Sequence, residues 1–321
     1  MRILSGIQPS GVPHIGNYFG MMRPAVELQK QGEAFLFIAD YHALTTNPDP
    51  KELRERVLGV ALDFLACGLD PEKTVFFRQS DVPQVTELTW ILNTVTTVGL
   101  LERAHSYKDK IAKGFVPNNG LFSYPVLMAS DILIYHSNIV PVGKDQKQHV
   151  EITRDIAIRF NNIYGDVFTI PQEKIREDVA IVPGLDGQKM SKSYNNIIPV
   201  FAEPDQIRKL TSRIKTDSSK VEDPKDPDKC IIYNMYKFFA SKEDTASLRK
   251  RYLQGGLSWK EAKDLLADEL IKNFEEPRRR YDEILKDKAG IRNILLKNSE
   301  HARAICGPVM KRVRDAIGIL S

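Results

Sequence analysis

Two short clusters carry the residue types that phosphate chemistry needs. The first is Pro13-His14-Ile15-Gly16-Asn17, entered through Gln8-Pro9-Ser10-Gly11. His14 and Asn17 are three apart, so on the first turn of a helix they share a face. Free main-chain N–H groups and the positive end of the helix dipole favour a phosphate at such a place. An imidazole and a carboxamide add donors, and Gly16 removes the side chain that would block a flat base or phosphate. Taken alone, this cluster is equally a histidine solvating a Gly-rich turn. The second cluster is Lys189-Met190-Ser191-Lys192-Ser193, preceded by the loop residues Pro183-Gly184-Leu185-Asp186-Gly187. Its lysines and serines can wrap a triphosphate and stabilise a departing pyrophosphate more than the bound substrate. Such a pentapeptide arises by chance in roughly one chain in ten thousand of this length. Both clusters in one chain point to nucleotide chemistry.

A third group, Tyr124, Met128 and Asp131, recurs at i, i+4 and i+7 and so lines one helical face. Tyr and Met suit an ordinary core. Asp131 does not, because a carboxylate inside an otherwise apolar helix needs a donor partner.

The elements that must hold these groups follow from hydropathy. Arg2 to Ser5, Ala34 to Ala39, Thr74 to Arg78 and Asn138 to Val142 are continuous apolar runs, as in strands covered on both faces. Helical periodicity fills the intervals, notably Lys51 to Cys67 and Gln148 to Ile163. This alternation predicts a doubly wound, Rossmann-like α/β domain with a parallel sheet over residues 1–194, its ligands outside the carboxyl ends of the strands. From residue 195 to 321 the texture is helical. After an exposed loop, Thr216 to Lys229, helices are expected at Ile231–Ala240, Lys242–Leu253, Ser258–Asn273, Pro277–Lys286, Gly290–Leu296 and Ser299–Ile317. Ser258-Trp259-Lys260-Glu261 has the capping-box pattern.

The chain has 321 residues with 46 Lys+Arg against 42 Asp+Glu, and its 27% charged and 42% hydrophobic residues are ordinary globular values, which exclude disorder and fibrous repeats. The most apolar stretch, Gly120 to Tyr135, is too short to span a bilayer and carries Asp131, so no membrane partner is expected. Residues 1–20 show no leader pattern, which makes the expected location cytoplasmic. Cys67, Cys230 and Cys306 are odd in number and widely spaced, which fits reduced thiols. Histidines and cysteines show no ligand spacing, so zinc is not expected. The charge is unevenly distributed: residues 205–321 hold 26 Lys+Arg and 19 Asp+Glu, residues 1–204 hold 20 and 23. A polyanion would dock on the basic rear.

The two clusters resemble the signatures of class I aminoacyl-tRNA synthetases, His14 to Asn17 matching the first and Lys189 to Ser193 the second. The resemblance narrows to the bacterial tryptophanyl branch through Ser5 to Gly11, Asp40 to Ala43, Tyr124 to Asp131 and Val142 to His149. It implies activation of L-tryptophan by ATP with Mg²⁺, then transfer to the terminal ribose of tRNA(Trp). It implies His14, Asn17, Lys189, Ser191 and Lys192 as the catalytic set. For ATP it adds Gln8, Pro9, Ser10, Gly16, Gly143, Lys144, Asp145, Val182, Met190 and Ser193, with Lys144 where relatives often have Glu. For tryptophan it implies Asp131 reading the indole N–H, with Tyr124, Met128, Gln146 and His42 around it. Leu4, Val140 and Val142 would line the apolar walls. The resemblance further implies a homodimer formed around residues 75–130 and a rear module that binds the anticodon. Its C-terminal helix would then pack back on the front domain, and Arg278, Arg279, Arg280 and Lys311 to Arg314 are candidate tRNA contacts. Some relatives hold an iron–sulfur cluster through four rear cysteines, but only Cys230 lies in a comparable place, so none is expected. A tyrosine-specific relative, a catalytically idle paralogue and a small-metabolite adenylyltransferase are the readings left open.

Overall fold

The apolar runs are strands of one parallel sheet in a computed structural model of the chain, which describes residues 1–9, 11–46, 48–104, 107, 112, 114, 118–143, 146–175 and 182–320. The strands are β1 (Arg2–Ile7), β2 (Glu33–Ile38), β3 (Thr74–Arg78), β4 (Ile139–Val142) and β5 (Gln172–Ile175). Their order is β3-β2-β1-β4-β5, with every pair parallel. Phe35, Phe37 and Phe77 face one apolar cluster, while Leu36, Ile38 and Phe76 face another on the opposite side. Burial on both faces is why these segments read as unbroken apolar runs. β5 is different. Gln172, Glu173 and Lys174 make no such run, and the strand forms at the sheet edge by pairing with β4.

Helices α1 (Pro50–Ala66), α2 (Gln84–Val95), α3 (Asn119–Leu133) and α4 (Lys147–Tyr164) pack around this sheet. Their starts are locally encoded. Asp49 accepts from the N–H groups of Lys51 and Glu52 at 2.9 and 3.0 Å with Pro50 at the first helical position, and Asn118 accepts from Leu121 N at 2.7 Å.

The rear contains α5 (Pro204–Ser212), a short helix Ile231–Tyr236, α6 (Lys242–Gln254), α7 (Trp259–Leu285) and α8 (Lys288–Ile317). The hydropathy pattern breaks near Asn273 and near Leu296, yet α7 and α8 run through both points. Pro277 withdraws a hydrogen bond only from the carbonyl of Asn273, an exposed residue that water can satisfy. Ser299 is fully buried and its Oγ donates to the Leu296 carbonyl at 2.7 Å, so its hydroxyl is satisfied within the helix.

Two packing facts decide where the rear sits. Ala302, Cys306, Val309, Met310 and Val313 of α8 belong to the same buried cluster as the sheet, and Arg314 grips Glu87 of α2 at 2.7 and 2.6 Å. Ile15 of the first cluster and Phe19 just beyond it share a core with Met190 and with Tyr252, Leu270 and Phe274 of the rear helices. The cationic runs singled out in the sequence are largely engaged. Arg279 pairs with Glu276 and Glu283, Arg280 with Glu276, and Lys311 with Asp315.

The loop before Ile231–Tyr236 is held by a buried lysine. Lys225 is 4% exposed, and its ammonium donates to the carbonyls of Lys220 at 2.7 Å and Asp223 at 3.0 Å. It lies 5.5 Å from the Trp259 ring centroid, in cation–π contact. Lys225→Met should therefore destabilise the rear helices by about 2–3 kcal/mol, since it leaves caged carbonyls without a donor. Urea unfolding followed by Trp fluorescence and far-ultraviolet circular dichroism measures this, and an unchanged midpoint would refute it.

Candidate active site

The strand order turns back at β1, which has β2 on one side and β4 on the other. A crevice opens outside the carboxyl ends at such a switch point. β1 delivers Gln8 and Pro9 to it, and β4 delivers Gly143. The chain then turns through Gly11, whose φ of +65° favours glycine, with Lys192 Nζ 3.2 Å from where a Cβ would stand. The second cluster thus lies over the entry to the first.

His14 caps the short helix Ile15–Asn17 and forms a reciprocal box with Asn17. The Asn17 N–H donates to His14 Nδ1 at 3.3 Å, and the His14 N–H donates to Asn17 Oδ1 at 3.2 Å. Because Nδ1 accepts, the neutral imidazole carries its proton on Nε2. Burial lowers the pKa of His14 to about 4, with Lys192 and Lys189 adding to the shift. At neutral pH it is an uncharged donor flanked by two cations. Gly16 is packed so closely that a Cβ would stand 3.0 Å from the His14 ring and 3.4 Å from Met190 Cβ.

The loop bearing the lysines is stitched to this turn. Ile15 N donates to the Ile198 carbonyl at 3.0 Å, and Val200 N to that of Pro13 at 3.1 Å. Within the loop, Asn196 is 2% exposed and fully used. Its Nδ2 donates to Asp186 Oδ1 at 2.7 Å and the Lys189 carbonyl at 3.2 Å, while its Oδ1 accepts from Ser191 N at 2.8 Å. Ser191 and Ser193 share a hydroxyl hydrogen bond of 2.8 Å, and Lys189 and Lys192 are exposed. Met190 and Val182 bury their side chains in the core that contains Ile15, and Met190 N donates to the Val182 carbonyl at 3.3 Å. Asp63 of α1 is only 7% exposed. Burial lifts its carboxyl to about 7, against the pull of Lys192. Ser10, Lys144 and Asp145 lie outside the described residues.

The third group forms a second compartment. Asp131 is 2% exposed and accepts from Gln79 Nε2 at 2.9 Å on each oxygen, and His42 Nε2 lies 2.9 Å from Oδ2. Burial raises the Asp131 pKa, and the bonds from His42 and Gln79 oppose that rise. Tyr124 shares a 2.6 Å hydrogen bond with His149 Nε2, and its ring meets that of His42 edge-on at 6.3 Å. Met128 packs on the core that contains Leu4, Val140 and Val142. Gln146 is half-buried and stands at the N-cap position of α4. The two groupings expected from sequence are thus each assembled: His14 and Asn17 with Lys189 and Lys192, and Asp131 and Tyr124 with His42. Asn196, Asp63 and Gln79 are additions that the sequence reading lacks. Only Gln79 had a usable signal, as the polar residue directly after a strand that ends at the crevice.

Residues 1–275 match the family described as tRNA synthetases class I (W and Y). The chain is 49% identical over 319 residues to the tryptophan--tRNA ligase of Rhodopirellula baltica, covering 99% of this chain and all of that one. Against the tryptophan--tRNA ligase of Campylobacter jejuni it is 47% identical, again over 99% of this chain and 100% of the relative. The crystal structure of the Campylobacter jejuni tryptophanyl-tRNA synthetase complexed with ADP and tryptophan superposes with a TM-score of 0.95 over 99% of this chain and 100% of that one. The Mycoplasma pneumoniae tryptophanyl-tRNA synthetase, 29% identical, does so at 0.79 over 100% and 98%.

The charge environment of His14 sets a measurable titration. Its imidazole signals should stay constant from pH 8 to about 5.5 and move only near the lowered pKa of about 4. A bound triphosphate offsets the Lys189 and Lys192 charges, so a non-hydrolysable ATP analogue should move the midpoint upward. Histidine Cε1–H shifts in the presence and absence of the analogue report both effects, and a midpoint near 6.5 in the free protein would contradict the geometry.

Proposed function

The chain belongs to the class I tRNA synthetases of the tryptophan and tyrosine group, and from that premise we propose that it is a tryptophan--tRNA ligase. L-Tryptophan's carboxylate attacks the α-phosphorus of ATP in line. The bond to the bridging oxygen breaks, and pyrophosphate leaves with its electron pair, giving tryptophanyl-adenylate. The 2′-hydroxyl of the terminal ribose of tRNA(Trp) then attacks the activated carbonyl, AMP departs and the hydroxyl proton is released. The observation that carries the reading is the convergence of Lys189 and Lys192 on a neutral His14, beside a compartment whose buried acceptor is Asp131.

The attacking carboxylate is already ionised, so the first step needs positioning and charge stabilisation rather than a general base. His14 Nε2–H and the Asn17 amide donate to the phosphate being transferred. Lys189, Lys192 and the Ser191 hydroxyl take up the charge growing on pyrophosphate. Gln8, Pro9 and Gly16 border the nucleotide, with Gly143 nearer the ribose and main-chain atoms of Val182 and Met190 nearer the base. ATP carries Mg²⁺ on its own phosphates. Among the described residues no group of three His, Cys, Asp or Glu side chains is placed to hold a metal ion. Asp131 accepts from the indole N–H, Met128 lies along the ring, and Tyr124 with Gln146 holds the amino end.

The helical rear meets the tRNA anticodon. Its excess of 26 basic over 19 acidic residues supports this, rather than the paired Arg279, Arg280 and Lys311. Among the described residues no helix is long and apolar enough to cross a membrane, and we place the protein in the cytoplasm. A second copy of the chain covers the exposed apolar groups of the front domain. Trp90 is 73% and Val98 62% exposed, near a groove of about 470 Å³ lined by Val95, Leu100, Ile158 and Ile163. The groove brings α4 into an interface expected around residues 75–130.

Amino-acid-dependent pyrophosphate exchange tests the activity. Tryptophan should support it at a kcat/KM at least about 1,000-fold above tyrosine. Lys192→Ala should lower kcat by about 100- to 1,000-fold with little change in tryptophan binding. Equal use of the two amino acids, or an active Lys192→Ala, would overturn the assignment. For the assembly, sedimentation should give a dimer that Trp90→Glu with Val98→Glu converts to monomer, and a monomeric wild type would overturn it.

A further inference from the structure

We propose that Gln79 is a specificity-determining positioning residue: it aims the Asp131 carboxylate so that a ring N–H completes its hydrogen bonding and a ring without one leaves it incomplete. The inference rests on the tryptophan reading above and deepens it.

A carboxylate has about four lone-pair directions. At Asp131 both oxygens are engaged by Gln79 Nε2 at 2.9 Å and one by His42 at 2.9 Å. Acceptor capacity remains for one further donor. Gln79 cannot rotate to release these bonds, because its Oε1 accepts from the main-chain N–H groups of Tyr41 at 3.0 Å and His42 at 3.3 Å. Those two donors fix which end of the amide faces the acid. Gln79 is 1% exposed, so water does not substitute for it.

The turn that carries Gln79 is braced from three directions. Arg78 clamps Asp81 at 2.7 and 2.8 Å, Ser80 N donates to Asp40 at 3.0 Å, and Arg303 of α8 donates to the Asp81 carbonyl at 2.7 Å. Such bracing holds a donor to a few tenths of an ångström, as a hydrogen-bond reader requires. Gln79 also favours ionised Asp131 against the effect of burial. An ionised carboxylate only accepts, whereas a protonated one could also donate to a phenol, ether or sulfur. Discrimination for an N–H therefore depends on the donor behind the acid.

The test uses the full-length protein in pyrophosphate exchange with tryptophan and with β-(benzothiophen-3-yl)alanine, a near-isostere in which sulfur replaces the ring N–H. Wild type should prefer tryptophan by about 100-fold or more in kcat/KM. Gln79→Glu keeps an acceptor for Tyr41 and His42 but sets a second carboxyl against Asp131, and two buried carboxyls this close share a proton that competes with the ring N–H for Asp131. It should lose at least about tenfold of that preference through the KM for tryptophan, with the KM for ATP within about twofold. Gln79→Met, of similar length and without a donor, should shift in the same direction and decides the matter if the first variant does not fold. Either folded variant keeping the wild-type preference within twofold would overturn the role of Gln79. A wild type without preference would instead overturn the reading of Asp131 itself.

Discussion

A carboxylate sealed inside an apolar helix is the constraint around which the front of this molecule is organised. Asp131 is 2% exposed within α3, between Ser130 at 0% and Ile132 at 1%. An unpaired charge there would cost several kcal/mol. Its donors come from two other segments: His42 from the helix after β2, and Gln79 from the turn after β3. Three chain segments far apart in sequence must therefore meet at one point. The sheet order makes this possible by placing β2 and β3 on the same side of β1. The C-terminal helix completes the arrangement by bonding the main chain of Asp81 and the side chain of Glu87. A helix at residues 288–317 thus supports a site built by residues 42–131.

The compartment around His14 stores charge in the opposite sense. Lys189 and Lys192 converge on a buried imidazole that cannot accept their protons and is itself driven neutral. Burial and Arg56 push the Lys192 pKa down, while Asp63 pulls it up. Like charges placed together in this way are costly until a polyanion offsets them. The same placement explains why His14 is suited to donate rather than to exchange protons. Its Nδ1 is committed to Asn17, so chemistry is left to Nε2–H.

How much of this could be seen in the chain depends on the range of the interaction responsible. β1 to β4 were legible because burial on both faces writes an apolar run into each strand. β5 was not, since an edge strand is specified by its neighbour's free main-chain groups. The helix start at Trp259 was legible from Ser258, whose cap is local. The continuity of α7 past Pro277 was not, because it depends on the exposure of one carbonyl. The spacing of Tyr124, Met128 and Asp131 marked a helical face and the need for a donor. It could not name Gln79, because glutamines are common and only tertiary structure aligns this one with the acid. Asp63 and Asn196 were missed for the same reason. The Arg279 and Arg280 run marked a cationic stretch without showing that Glu276, on the same helix, pairs with both.

The core that joins the two halves limits how the nucleotide loop can move. Met190 is 3% exposed and packs with Ile15, Phe19 and Val182, and Phe19 meets Phe238 and Phe239 at ring separations of 5.1 Å. Swinging the whole loop would expose that methionine and break the strand-like bonds at Ile15 and Val200. The side chains flanking Met190 lie outside this core, since Lys189, Lys192 and Ser193 are exposed and Asn195 adopts a left-handed turn with φ of +50°. Rotation of those side chains is the adjustment that leaves Met190 buried and the Asn196 bonds intact. Any larger adjustment must move Ile15 and the rear core together. Because the rear helices belong to that core, the setting of His14 and the packing of Tyr252, Leu270 and Phe274 depend on one packed unit.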